Sequence, residues 1–211
     1  MEEFEIEVDD LLNALGKNVK KDIKTFEDLV NLDCSLNREI IIEEIGFGCG
    51  IDIDGMIRYW NRYDDKHNIP LEKRQPILLI IDSCGGSLSD AFTIIDSIKN
   101  SKTPIIGICI GSAYSAGFFI LISCHKRYAY PHASFLFHEG SAGNSGTAAQ
   151  FANFAAFYKK QLNQLKDIVI ENTNISKEEY QEIKKDDIWY DAEEALKKKI
   201  IDKIIEDKDE I

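Results

Sequence analysis

Pro104 to Cys124 reads PIIGICIGSAYSAGFFILISC, twenty-one residues without a charge in a chain that is 29% charged. Its first half is β-branched, with Ile105, Ile106, Ile108 and Ile110, which predicts a strand over Thr103 to Ile110. Its second half, Phe118 to Ile122, reads as one face of a buried helix, with the helix over Ser115 to Cys124. Between them lie Gly111-Ser-Ala-Tyr-Ser-Ala-Gly117, small residues that let the backbone turn sharply and let another group approach closely. Ser115 falls at the strand-to-helix junction, where a helix N-terminus offers free N–H groups. That setting suits a nucleophile and an oxyanion. Length and lack of charge would also fit a membrane span, but three glycines, three serines and a change of pattern midway argue against one. An ordinary strand–helix turn, with serines present only because they are small, is the other reading.

Outward from this stretch, strand and helix signals alternate. Glu39 to Ile45 (EIIIEEI) and Ile77 to Ile81 (ILLII) are apolar runs expected of buried strands. Helical spacing follows each: Asp54 to Asp65, with Ile53, Ile57 and Trp60 on one side, and Asp90 to Lys99 capped by Ser89. Phe135-Leu-Phe137 is a short strand ending at His138. A Gly/Ser-rich loop, Ser141 to Gly146, leads into the longest helical candidate, Thr147 to about Asn172, whose broad apolar face includes Phe151, Phe154, Phe157 and Tyr158. Ser176-Lys-Glu-Glu179 is a capping box. Lys184 to Tyr190 reads as a connection, Ala192 to Lys199 as a last helix, and Ile200 to Ile205 as a last strand. The order βαβαβα predicts a parallel sheet with right-handed crossovers. Residues 1–37 form an acidic lead with two short helices expected, one around Leu11, Leu12 and Leu15, the other over Thr25 to Asn31. Nothing there carries chemistry.

Composition narrows the function. At 211 residues, 44% hydrophobic, the chain is long enough for one well-filled domain. A formal net charge of −12 excludes the basic face of a nucleic-acid binder. The five cysteines, at 34, 49, 84, 109 and 124, show no CxxC pair. They read as reduced and buried, which with an acidic N-terminus implies a cytoplasmic protein. The four histidines have no zinc-like spacing with acids, so no metal or cofactor is expected.

Three loops share the carboxyl edge of the expected sheet: Gly85-Gly86 after the Ile77 strand, Ser115, and His138. Adjacent glycines there read as a tight turn with exposed backbone N–H groups, at the edge where α/β folds place ligands. Serine hydrolysis needs a hydroxyl, an imidazole, an orienting carboxylate and backbone donors. Ser115 has the setting for the first and His138 for the second. His67, His125 and His132 read as surface residues.

In order and spacing these pieces resemble the Clp protease proteolytic subunit, an α/β fold of the ClpP/crotonase type. That fold has repeated βαβ units and a protruding handle made of a strand and a long helix. The resemblance rests on Ser83-Cys84-Gly85-Gly86, Gly111 to Gly117, Phe137-His138, and Asp187-Ile-Trp189 through Glu194-Ala195 to Ile201-Asp202. It covers residues 38 to 205, with 38–211 as the peptidase domain and 1–37 as a divergent segment. It implies Ser115 as nucleophile, His138 as general base and Asp187, with Asp186 adjacent, as the carboxylate. It implies the backbone N–H groups of Gly86 and Ala116 as the oxyanion hole. Extended peptide substrate would lie beside Ser87-Leu88 and Gly140 to Gly146. It further implies a homo-oligomer of two stacked heptameric rings closed into a chamber, the long helix interlocking the rings, served by an AAA+ unfoldase. Departures are Cys84 where proline is usual, the sequence of Ser141 to Gly146, Lys198-Lys199 for Tyr-Gly, and the N-terminal segment, which does not match the axial loops that contact the unfoldase. A crotonase-like acyl-CoA enzyme, a Ser-Lys dyad peptidase and a silent structural paralogue remain as rivals.

Overall fold

The computed structural model describes residues 25–206. The chain divides into two units, Met1–Glu39 and Ile40–Ile211. In the first, helix α1 (Phe26–Leu36) starts with a capping box. Thr25 Oγ1 accepts from the Asp28 N–H at 3.1 Å, and the Asp28 carboxylate accepts from the Thr25 N–H at 2.9 Å. The expected start is right; the helix runs five residues beyond the expected end. The helix expected around Leu11 to Leu15 lies outside the described residues.

The second unit is built on one seven-stranded sheet. In order along the chain come β1 (Glu39–Ile45), α2 (Cys49–Lys66), β2 (Ile77–Gly86), α3 (Leu88–Asn100), β3 (Ile105–Tyr114) and α4 (Ala116–Ser123). They are followed by β4 (Lys126–Ala129), β5 (Ser134–Phe137), α5 (Ala148–Asn172), α6 (Lys177–Ile183), β6 (Ile188–Asp191), α7 (Ala192–Lys197) and β7 (Lys203–Ile204). The alternation βαβαβα of the first six elements is as expected, and β2 and β3 pair in parallel, Ile77 opposite Ile105 and Ile81 opposite Cys109.

Strand β3 is the hub. One edge holds β2; the other is shared. Ile106 to Cys109 pair in parallel with β4, whereas Ser112 to Tyr114 pair in parallel with β5. The sheet therefore forks, and β5 carries β6 on its outer side in antiparallel pairing. No periodicity announces this fork. The stretch Lys184 to Tyr190, read as a connection, contains most of β6, because its strand is only four residues long and is held by β5 rather than by its own apolarity.

Several boundaries move for local reasons. β3 continues through Gly111-Ser-Ala-Tyr114, and β2 through Gly85-Gly86, so neither glycine-rich segment is a free turn. Helix α3 is capped by Ser87, not Ser89. The Ser87 N–H is donated to the Ile45 carbonyl at 2.7 Å, which ends the extended chain there. Helix α2 starts five residues early because Gly50 crosses α3, where a Cβ would sit 2.8 Å from the Asp90 carbonyl oxygen. That crossing is tied by Asp90, whose carboxylate accepts the Gly48 and Gly50 N–H groups at 3.0 Å each. β7 keeps only two of the six residues expected.

Helix α4 is buried along its whole length, and Phe118, Ile120, Leu121 and Ile122 have no exposed surface. Burying such side chains is worth roughly 1.5–3 kcal/mol each. It packs against β2, β3, α3 and α5. The long helix α5 behaves differently along its length. Leu165, Ile168 and Val169 are buried, but Phe151 and Phe157 are more than half exposed. The aromatic half of its apolar face is thus not a core stripe of the subunit. At the other end of the unit, the Arg127 side chain is buried and pairs with Asp202 at 2.7 Å, and also donates to the Asn172 carbonyl. That pairing explains why an aspartate follows Ile201. No helix among the described residues is long and apolar enough to cross a membrane.

Candidate active site

Parallel pairing of β2, β3 and β5 brings their carboxyl ends to one edge, as the sequence predicts. Gly86, Ser115 and His138 all line a single cleft of about 480 Å3 there, with Ser87, Leu88, Ala116, Phe119, Glu139, Gly140, Phe154 and Tyr158.

Ser115 sits at φ 52°, ψ −117°, between β3 and α4. Left-handed backbone at a residue with a Cβ costs on the order of 1–3 kcal/mol and persists only where the surroundings impose it. They do so here. The Ser115 N–H is donated to the Leu136 carbonyl of β5 at 3.0 Å, and its carbonyl accepts from the Phe119 N–H of α4 at 3.3 Å. Gly85 lies against it, where an added Cβ would fall 2.8 Å from the Ser115 Cβ and 2.9 Å from the Tyr114 carbonyl oxygen. Gly117, one residue past Ala116, packs on Ser83 of β2, itself fully buried. Small residues on both strands let the junction close. Ala116 is the first residue of α4, so its N–H has no intrahelical acceptor.

Gly86 stands across from this junction at φ +145°. A Cβ there would be driven into the Ile45 carbonyl. Only glycine lets β2 pass so close to β1 with this conformation. Next to it, the exposed thiol of Cys84 corrects the expectation that all five cysteines are buried. Cys109 and Cys124 are buried, Cys34 and Cys49 partly so, and none is paired. Burial pushes the Cys109 and Cys124 thiols up to about 12, so both stay neutral.

His138 is placed by the sheet. Phe137 of β5 pairs with Ile188 of β6, and the residues just beyond that pair are His138 and Asp187. Their side chains meet: His138 Nδ1 lies 3.4 Å from Asp187 Oδ1. A one-residue slip of β6 would turn Asp186 toward this position instead, so register selects Asp187. The pair is not buried, with His138 30% and Asp187 62% exposed. His67, His125 and His132 are surface residues, as expected.

Two further contacts escape sequence reading. The Tyr158 hydroxyl of α5 donates to the Glu139 carbonyl at 3.0 Å, and the Tyr180 hydroxyl of α6 donates to the Glu139 carboxylate at 3.1 Å. Capping and periodicity assign both tyrosines to helices and nothing more. Among the described residues lining the cleft there is no lysine, which disfavours a Ser-Lys dyad. No group of three or more metal-ligating side chains occurs among the described residues.

The chain is 35% identical over 132 residues to the ATP-dependent Clp protease proteolytic subunit 2 of Corynebacterium diphtheriae, covering 62% of this chain and 66% of that protein. The namesake subunit of Rhodococcus jostii is 31% identical over 131 residues, covering 61% and 67%. That of Treponema pallidum is 29% identical over 138 residues, covering 64% and 69%. The chain thus spans about two thirds of the length of these relatives. The Clp protease family model matches residues 70–208, a region holding every residue discussed in the cleft. By that match, across well over half of its length, the chain belongs to the Clp protease family.

Proposed function

We propose that this protein is a serine endopeptidase acting on extended peptides or unfolded proteins. Ser115 is its nucleophile, His138 its general base and Asp187 the carboxylate that orients the imidazole. The observation that carries the reading is the His138–Asp187 contact of 3.4 Å at the edge of the cleft that also holds Ser115 on its strained junction.

The chemistry follows from these parts. His138 takes the Ser115 proton through Nε2 while Nδ1–H faces Asp187, which holds the productive tautomer. The Ser115 oxygen attacks the substrate carbonyl carbon, and the negative charge moves to the carbonyl oxygen. The N–H groups of Gly86 and Ala116 receive that oxyanion. Collapse of the tetrahedral adduct breaks the C–N bond, and His138 returns its proton to the leaving amine. Water, deprotonated by His138, then cleaves the acyl-enzyme and restores Ser115. Substrate backbone runs beside Ser87-Leu88 on one side and the segment from Gly140 on the other.

The assembly belongs to the same reading. The relatives are named as proteolytic subunits of ATP-dependent proteases. We infer a homo-oligomer of stacked heptameric rings, served by an AAA+ unfoldase, in the cytoplasm. The exposed Phe151 and Phe157 of α5 support a ring-to-ring contact through this helix, since two large aromatic side chains left more than half in solvent on one helix favour association.

Fluorophosphonate labelling tests the catalytic claim. The assembled wild type should be labelled at Ser115 and should hydrolyse short fluorogenic peptides. Ser115→Ala should lose on the order of 10⁴-fold or more of that rate with its fold and assembly unchanged. A folded, assembled sample that stays unlabelled would remove the reading and leave a silent paralogue.

A further inference from the structure

His138 follows the last residue of β5 and opens a segment, residues 138–147, that has no helix or strand. Upstream it is held by pairing to β3 and β6. Downstream, pairing stops, and a different device takes over at the very next residue. Glu139 is gripped twice, from two helices: its carbonyl by the Tyr158 hydroxyl of α5 and its carboxylate by the Tyr180 hydroxyl of α6. Tyr180 is itself rigid, 1% exposed, its ring edge-on to Phe137 at 5.4 Å. Phe137 in turn meets Phe118 and Phe119 of α4 at 5.8 and 6.1 Å. The aromatic cluster therefore joins the helix that follows Ser115 to the strand that precedes His138, and Tyr180 closes it from α6.

We propose that Glu139, clamped by Tyr158 and Tyr180, is a positioning residue that holds the His138 imidazole toward Ser115. The inference rests on the peptidase reading above for its catalytic consequence, but not for its structural one. The clamp is built for permanence. Burial and the Glu139 charge raise both phenols above their usual range, so both hydroxyls remain donors throughout the neutral range. Without the clamp, His138 would stand at a strand end followed by nine residues of irregular chain, and a shift of about 1 Å at a catalytic group is enough to cost on the order of 10²-fold in rate.

The test is the double variant Tyr158→Phe/Tyr180→Phe in the full-length, assembled protein. It removes two hydroxyls and keeps both rings, so the Phe137 packing survives. The expected result is a kcat lower by about 10–100-fold with KM within about twofold and a melting temperature lower by about 2–8 °C, as for the loss of two hydrogen bonds. Glu139→Ala, which keeps the carbonyl that Tyr158 grips and removes only the carboxylate that Tyr180 grips, should reproduce the part of the loss that Tyr180→Phe alone causes, and Glu139→Gln, which still accepts from Tyr180, should recover most of it. A second readout does not depend on turnover: in protein carrying 13C-labelled histidine, the His138 ring resonance, assigned with His138→Gln, should move or broaden in the double variant. An unchanged His138 resonance overturns the positioning role, whether or not peptides are cleaved. A displaced resonance in a protein whose wild type shows no Ser115-dependent hydrolysis overturns the peptidase reading and leaves the clamp standing.

Discussion

The two sides of the cleft are held by opposite means. Ser115 is fixed by backbone: a fully buried helix, a hydrogen bond to β5, and glycines that leave no room for anything else. His138 and Asp187 stand just past the last β5–β6 pair and meet only through their side chains at the rim, more than half of Asp187 being in solvent. The first arrangement cannot relax without disturbing the core. The second can be retuned by single exposed residues. Close packing transmits every change, whereas an exposed pair is screened and tolerant. Substitutions in the packing around Ser115 should therefore appear as stability changes, and substitutions on the histidine side as changes in rate.

The sharpest way to break this contrast is Gly86→Ala. Positive φ and the collision with the Ile45 carbonyl together should cost about 2–6 kcal/mol, read by chemical denaturation. A stable, active Gly86→Ala protein would show that this side relaxes after all. Next comes Asp187→Asn. Loss of an orienting carboxylate costs about 10⁴-fold in a buried serine-protease triad, and the exposure of Asp187 lowers the expectation to about 10²-fold in kcat. Stability should stay within about 0.5 kcal/mol, as for other surface changes. Asp186→Asn should change kcat by less than about twofold. Equal effects from the two aspartates would mean that β6 register does not choose between them.

Phe137→Leu probes the junction of the two sides. It thins the contacts with Phe118, Phe119 and Tyr180 and should cost about 1–2 kcal/mol. The smallest effect concerns acid. Hydrogen bonds from Ser87 and from the Gly50 and Gly48 N–H groups hold the Asp90 carboxyl below its ordinary range. Such a group stabilises the fold above its unfolded pKa, near 3.9, and the contribution disappears as pH falls through the lower folded value. Asp90→Asn should lower the melting temperature at pH 6 by about 2–4 °C, and the deficit should shrink as pH falls below the ordinary carboxylate range. A constant deficit across that range would assign the effect to packing at Gly50.

How legible the site was depended on the kind of information each part needs. Ser115 could be picked out because a strand, small residues and a helix are all written locally between Pro104 and Cys124. His138 followed from the strand before it. Asp187 could be reached only by resemblance, because β6 has no apolar pattern of its own and exists by pairing with β5. Glu139, Tyr158 and Tyr180 could not be reached at all, since their contact joins residues nineteen and forty-one positions apart.

The sequence alone therefore determined the alternation of strands and helices, the buried core of α4, and which edge of the sheet gathers Gly86, Ser115 and His138. These follow from periodicity, β-branching and capping, which act over a few residues. Only the tertiary structure decided the fork at β3, the register that sets Asp187 beside His138, and the strained φ of Ser115. Each of these is imposed on a short segment by a partner distant in the chain, and no local preference encodes it.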